Sequence, residues 1–118
     1  MSKHSVLVME DDPQLLRLYS KALNKAGYGV CGAGNADQAR IALENTSFDM
    51  ILCDINLGDG CGTDVLRDYR LDGTPVIVVS GHEPYRMACE AEGYEFFLSK
   101  PVHINDLVTL VDRLAIRN

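Results

Sequence analysis

Polar and apolar positions alternate along this chain in blocks. Four short runs are continuously apolar: Val6–Met9, Met50–Cys53, Val76–Val79 and Phe96–Leu98. Continuous runs of this length, rather than a strict in-out alternation, are the pattern of strands buried on both faces of a parallel sheet. A weaker fifth segment, Tyr28–Ala33, carries Gly29 and Gly32 and so predicts an edge strand. Between the runs the apolar spacing lengthens to that of a helix. Pro13 fits a first helical position with Asp12 as its N-cap. Leu15, Leu18, Tyr19, Ala22 and Ala26 then form one face, and Gly27 ends the helix. Asn35 with Gln38 three residues on predicts a capping box that opens a second helix, running to about Glu44. Thr63–Arg70 predicts a third, with Val65, Leu66 and Tyr69 inward, and Pro84–Glu92 a fourth of weak periodicity. A fifth starts at about Asn105 and turns Leu107, Val108, Val111 and Leu114 to the core. Five β-α repeats joined by right-handed crossovers predict a three-layer α/β sandwich.

The 118 residues fit one domain, 1–118, with no linker, low-complexity tract or internal repeat beyond this alternation. A formal net charge of −6 and the lack of any Lys/Arg run argue against direct binding to nucleic acid, which needs a basic face. No stretch approaches the ~18 apolar residues of a membrane span. The first residues, Met-Ser-Lys-His, lack the apolar core of a signal peptide, so a cytoplasmic location is expected. Cys31, Cys53, Cys61 and Cys89 match no zinc spacing and are expected to be reduced and structural. "CGAGNAD" follows a strand and opens a helix, as a dinucleotide loop does. The third glycine of that fingerprint would fall at Asp37, whose charge repels pyrophosphate.

Chemistry gathers at the strand ends. Glu10 and Asp11 follow the first run, Asp54 the third strand, Ser80 and Gly81 the fourth, and Ser99, Lys100 and Pro101 the fifth. In a parallel sheet these carboxyl ends share one edge, which is where open α/β sheets bind ligands. Three carboxylates beside one another repel unless something positive sits among them. Oxygen donors of this kind suit Mg²⁺. A divalent cation, the Lys100 ammonium and the Ser80 hydroxyl together make a site for a phosphoryl group in transfer. Asp54, alone after a buried strand, is the candidate nucleophile, and Glu10 and Asp11 the metal side. Asp12 is the residue of this acidic run expected to serve only as a helix cap.

Glu10-Asp11, Asp54, Ser80 and Lys100-Pro101, in this order and on these strand ends, resemble the receiver domain of two-component response regulators, the CheY-like family. The resemblance covers essentially the whole chain. It implies a (βα)₅ flavodoxin-like fold with parallel strand order 2-1-3-4-5. It implies that Asp54 accepts a phosphoryl group from a sensor histidine kinase or a histidine phosphotransfer protein. Glu10, Asp11, Asp54 and Asn56 would hold Mg²⁺, Asp11 directly, Glu10 through water and Asn56 through its backbone carbonyl. Asn56, Ser80, Gly81 and Lys100 would surround the phosphoryl group, and the Lys100–Pro101 bond would be cis. Ser80 and Phe97 would form the switch: the hydroxyl moves toward the phosphoryl group and the aromatic ring turns inward. His82, two residues after Ser80, lies where family members tune dephosphorylation, but a solvated loop histidine is the reading preferred here. The output protein or domain is unknown. Homodimerisation through the fourth and fifth helices is an option that light scattering with and without a phosphoryl analogue would test.

Three departures from the family pattern stand out. Gly58 occupies the usual proline position, Cys61 precedes Gly62 where an aspartate is common, and Phe97 replaces the common tyrosine. Gly58, Gly60 and Gly62 therefore predict an unusually free loop. Two rival functions are separable. An aspartyl-phosphate hydrolase would carry a general acid two residues after its nucleophile, where this chain has Asn56, so a turnover enzyme is not expected. A receiver-like interaction module that works without phosphate would usually have lost an acid or the lysine.

Overall fold

The computed structural model describes residues 4–81 and 83–117; His82 lies outside the described residues. Five strands and five helices alternate: β1 Ser5–Met9, α1 Pro13–Lys25, β2 Gly29–Ala33, α2 Ala36–Asn45, β3 Met50–Asp54, α3 Gly62–Arg67, β4 Val76–Ser80, α4 Glu83–Ala91, β5 Phe96–Ser99 and α5 Ile104–Arg117. All strand pairs are parallel, in the order β2-β1-β3-β4-β5. This is the flavodoxin-like order that the resemblance implied.

The apolar runs do what their continuity requires. Val6–Met9, Met50–Cys53 and Val76–Val79 are buried throughout. Alternate residues feed two separate cores. Leu7, Met9, Ile51, Cys53 and Val78 pack with Ala39, Val65, Leu66 and Cys89 of α2, α3 and α4. Val6, Val8, Leu52, Ile77 and Val79 pack with Tyr19, Leu23, Leu107, Val111 and Leu114 of α1 and α5. β2 and β5 are the edges, and Phe96–Leu98 are accordingly only half-buried.

Asp12 caps α1 as predicted, its carboxylate accepting from the amides of Gln14 (2.9 Å) and Leu15 (3.4 Å). The rotation of α1 differs from the predicted face: Leu18 and Ala26 are exposed, while Leu16 and Leu23 turn inward with Tyr19. The cause lies on β2. A Cβ at Gly32 would sit 3.2 Å from Leu16 Cδ1, so the absent side chain makes the space that Leu16 fills. At α2 the Asn35 side-chain Oδ1 accepts from Gln38 N (2.8 Å), but Gln38 Oε1 accepts from Gly34 N (2.7 Å) instead of closing the box on Asn35. α3 is shorter than predicted. Bonds from Asp68 N to Val65 O and from Tyr69 N to Leu66 O tighten its last turn. The Tyr69 hydroxyl then bonds Glu44 (3.1 Å), drawing the chain toward α2. Among the described residues, no helix is long and apolar enough to cross a membrane.

Candidate functional site

The parallel register delivers the predicted residues to one edge. β1 runs into Glu10, whose amide bonds Ala33 O (3.0 Å) and keeps the β1 end in register with β2. Asp54 closes β3 opposite Val79, one residue before Ser80 on β4. Lys100 follows β5, and its amide bonds Ser80 O (3.0 Å). Gly81 lies against it: a Cβ there would be 3.6 Å from Lys100 Cβ. The Lys100–Pro101 peptide bond is cis.

Carboxylate oxygens of Glu10, Asp11 and Asp54 all lie within 4.8 Å of one another. Glu10 and Asp54 are buried, at 1% and 3% exposure, while Asp11 is exposed. Lys100 Nζ donates to Asp54 Oδ2 at 2.8 Å and stands 3.5 Å from Glu10 Oε1. The other Asp54 oxygen accepts from Asn56 N at 3.3 Å. Glu10 Oε2 accepts from Asp12 N at 3.1 Å. Among the described residues, Glu10 Oε1 is the buried side-chain atom left without a hydrogen bond. Three oxygen donors converging on one point, one of them buried and unbonded, fit a hard divalent cation.

The electrostatics follow from burial. Glu10 is pushed from the ordinary 4.5 up to about 7, first by loss of hydration and then by the Asp54 carboxylate, with the Asp12 amide opposing. Burial works against the Lys100 ammonium, but Asp54 and Glu10 outweigh it and hold its pKa above the ordinary value. A raised carboxyl pKa binds a proton more tightly in the folded state. Its contribution to stability is therefore complete below about pH 4.5 and is lost as pH rises through about 7. In the presence of chelator, stability should fall by about 2–3 kcal/mol across that window. Glu10→Gln should flatten the dependence, and Mg²⁺ at about pH 8 should reverse the loss in the wild type. Thermal melts at several pH values check this; equal pH slopes for the two proteins would refute it.

The loop after Asp54 is held more closely than its glycines suggest. Asn56 and Cys61 form an isolated antiparallel bridge, and Leu57 N bonds Gly60 O (3.0 Å). Gly58 takes a positive φ of 81° and donates to Asn56 Oδ1 at 3.0 Å. Gly62 serves close packing instead: its amide bonds Ile55 O at 2.7 Å, and a Cβ would collide with the Asp54 carbonyl oxygen and lie 2.6 Å from Cys53 Sγ. The loop tip is tied to α2, since Asp59 Oδ1 accepts from Ala36 N at 2.8 Å. The sequence reading passed over Asp59 because its partner is 23 residues away.

Ser80 and Phe97 line a cavity of about 180 Å³ with Gly81, Glu83, Arg86 and Lys100. Phe97 is half-buried, and the Arg86 guanidinium lies over its ring, 5.0 Å from the centroid. Arg86 is a second residue that sequence reasoning left out, since cation–π contacts leave no pattern in the chain. All four cysteines are free thiols. His4 and His103 lie apart from the acidic cluster, and Asp37 is exposed in the first turn of α2.

A receiver fold with an acidic pocket and a lysine at its sheet edge defines the class, and comparison with known proteins agrees. The family model described as the response regulator receiver domain matches residues 6–112. The response regulator protein PilR of Pseudomonas aeruginosa is 32% identical over 100% of this chain, which covers 28% of PilR. The probable transcriptional regulatory protein TcrX of Mycobacterium tuberculosis is 31% identical over 88% of this chain and 46% of TcrX. The chain thus spans less than half the length of these curated relatives. Among solved structures, a CheY-like receiver domain protein from Methanospirillum hungatei superposes with a TM-score of 0.84 at 28% identity, covering 99% of this chain and 100% of that one. Chemotaxis response regulator CheY4 of Vibrio cholerae superposes at 0.87 over 96% of this chain and 99% of its own; at 23% identity that likeness shows the fold. The chain belongs to the response regulator receiver domain family.

Proposed function

We propose that this domain accepts a phosphoryl group on Asp54 from a phosphohistidine of a sensor histidine kinase or a histidine phosphotransfer protein, and that the modification switches a protein-interaction surface. The observation that carries the reading is the convergence of Glu10, Asp11 and Asp54 on one point with Lys100 bonded to Asp54. An Asp54 carboxylate oxygen attacks phosphorus. The new O–P bond forms as the N–P bond to the donor imidazole breaks, and the imidazole takes up a proton. Asn56 N and Lys100 orient the attacking carboxylate through the bonds they already make to its two oxygens. Mg²⁺, held by Asp11, Asp54 and the Asn56 carbonyl with Glu10 behind them, would supply neutralisation of the charge gathered at the transferring group. Lys100, the Ser80 hydroxyl and the Gly81 amide then donate to the phosphoryl oxygens.

The domain is a phosphoacceptor that promotes its own phosphorylation and dephosphorylation, not a turnover enzyme. It works in the cytoplasm through protein contacts, with no nucleic-acid contact of its own, and its output lies in a partner or a further domain. The cavity beside Ser80 and Phe97 supports the switch, because a ring can turn there only if space exists to receive it.

The test is incubation with Mg²⁺ and acetyl phosphate, followed by intact mass, beside a binding assay with beryllofluoride. The wild type is expected to gain one phosphoryl group only with Mg²⁺, and Asp54→Asn none. Absence of both the adduct and beryllofluoride binding would assign the phosphorylation-independent interaction module instead.

A further inference from the structure

The loop that follows Asp54 lacks the proline usual at position 58, yet its backbone must hold Asn56 beside the acidic cluster. Three observations show what takes over that task. Ala36 N is an orphan donor of the first turn of α2, and Asp59 Oδ1 accepts it at 2.8 Å. Gly60 lies against α2, where a Cβ would make van der Waals contact with Ala36 Cβ at 3.4 Å. The helix so gripped is itself continuous with the other half of the site. Its N-cap Asn35 lies two residues after Ala33, whose carbonyl accepts from Glu10 N at 3.0 Å. The path from Asp59 to the Glu10–Asp11 side is therefore a short run of hydrogen bonds and covalent backbone. On the near side Gly58 adjoins Asp11, its Cβ direction pointing 3.5 Å from Asp11 Oδ2.

We propose that Asp59 is a positioning residue: by bonding Ala36 N it clamps the β3–α3 loop onto α2 and fixes the distance between Asn56 and the Glu10–Asp11 pair. The inference rests on the phosphoacceptor reading for its consequence. The clamp acts through an acceptor oxygen, not through charge. Asparagine at position 59 keeps that oxygen, whereas alanine removes it, and both lose the negative charge. The two variants therefore separate the hydrogen bond from the field that Asp59 exerts on a nearby cation.

The experiment is a Mg²⁺ titration of the full chain followed by amide NMR, with thermal melts confirming that each variant is folded. Loss of a helix cap corresponds to roughly a five-fold change in an equilibrium that depends on it. Asp59→Ala is expected to weaken Mg²⁺ binding about five-fold and to speed hydrogen exchange at Ala36 N at least as much. Asp59→Asn is expected to stay within about two-fold of the wild type on both measures. The rate of phosphorylation by acetyl phosphate at saturating Mg²⁺ should change less than the Mg²⁺ concentration needed for half of it. Equal Mg²⁺ affinity in Asp59→Ala and wild type would overturn the clamp. So would Asp59→Asn weakening the site as much as alanine does, which would make Asp59 a charge effect. A wild type that binds no Mg²⁺ and takes no phosphoryl group would instead overturn the phosphoacceptor reading, while the Ala36 exchange rate would still report the clamp.

Discussion

In a Gly62→Ala protein the thermal midpoint should drop by about 10–20 °C, the equivalent of about 3 kcal/mol in a domain of this size. The reason is not backbone freedom, since Gly62 is absent from the positive-φ glycines. A methyl group at this position meets the Asp54 carbonyl oxygen and the Cys53 thiol, both fixed in the middle strand of the sheet. The Gly62 amide is meanwhile bonded to Ile55 O at 2.7 Å, so α3 cannot retreat without giving up that bond. Relief must come from moving the strand that carries Asp54 or from unseating α3. Either route disturbs the site, and phosphorylation should fall along with stability. A midpoint within about 2 °C of the wild type would show that the α3 entrance yields more readily than this packing implies.

The second large effect concerns Lys100. Its replacement by alanine should slow phosphorylation by acetyl phosphate by about 10²–10³-fold, the range for removing one preorganised donor to developing charge. The same change leaves Glu10 and Asp54 facing each other without their shared cation, so the variant should also be less stable above about pH 7 in the absence of Mg²⁺. These consequences have different remedies. Mg²⁺ should recover most of the stability, because a divalent cation relieves the carboxylate repulsion. It should not recover the rate, because nothing replaces the ammonium that donates to Asp54 Oδ2. Lys100→Arg should restore stability more fully than rate, since a planar guanidinium cannot occupy the place of a compact ammonium. If Mg²⁺ restored the alanine variant to the wild-type rate, Lys100 would be a structural counter-ion and nothing more.

The strands, the core and the main site residues could be read from the chain because burial on two faces leaves a strong mark, whereas the strand order followed only from the family resemblance. Val6–Met9 and Met50–Cys53 admit no polar residue until the strand reaches the sheet edge, and there the acids begin. A carboxylate after a fully buried run therefore gives its own position at β1 and β3, and together with Ser80 at the end of β4 and Lys100 after β5 these strand ends give one crevice. What the chain hid was the information held by distant partners. The phase of α1 depends on Gly32, a residue in another element, so Leu18 passed for a core residue while Leu16 was overlooked. The length of α3 depends on the Tyr69 hydroxyl finding Glu44. The glycines of the β3–α3 loop read as freedom, but Gly58 serves a turn, Gly62 serves contact, and the loop tip is secured by Asp59 on α2. The pairing of Arg86 with Phe97 likewise joins α4 to β5 and has no local signature.

The claim that Asp54 is the acceptor is tested most directly by trapping the acyl phosphate where it forms. After reaction with Mg²⁺ and acetyl phosphate, borohydride reduces an aspartyl phosphate to homoserine with loss of phosphate, and peptide mass spectrometry then locates the altered residue. Homoserine is expected at position 54 alone, dependent on Mg²⁺ and absent when the phosphodonor is withheld. Homoserine at Glu10's neighbour Asp11 or at any other aspartate, the one-carbon-longer alcohol at a glutamate, or no reduced residue at all beside a control receiver domain that is trapped under the same conditions, would contradict it.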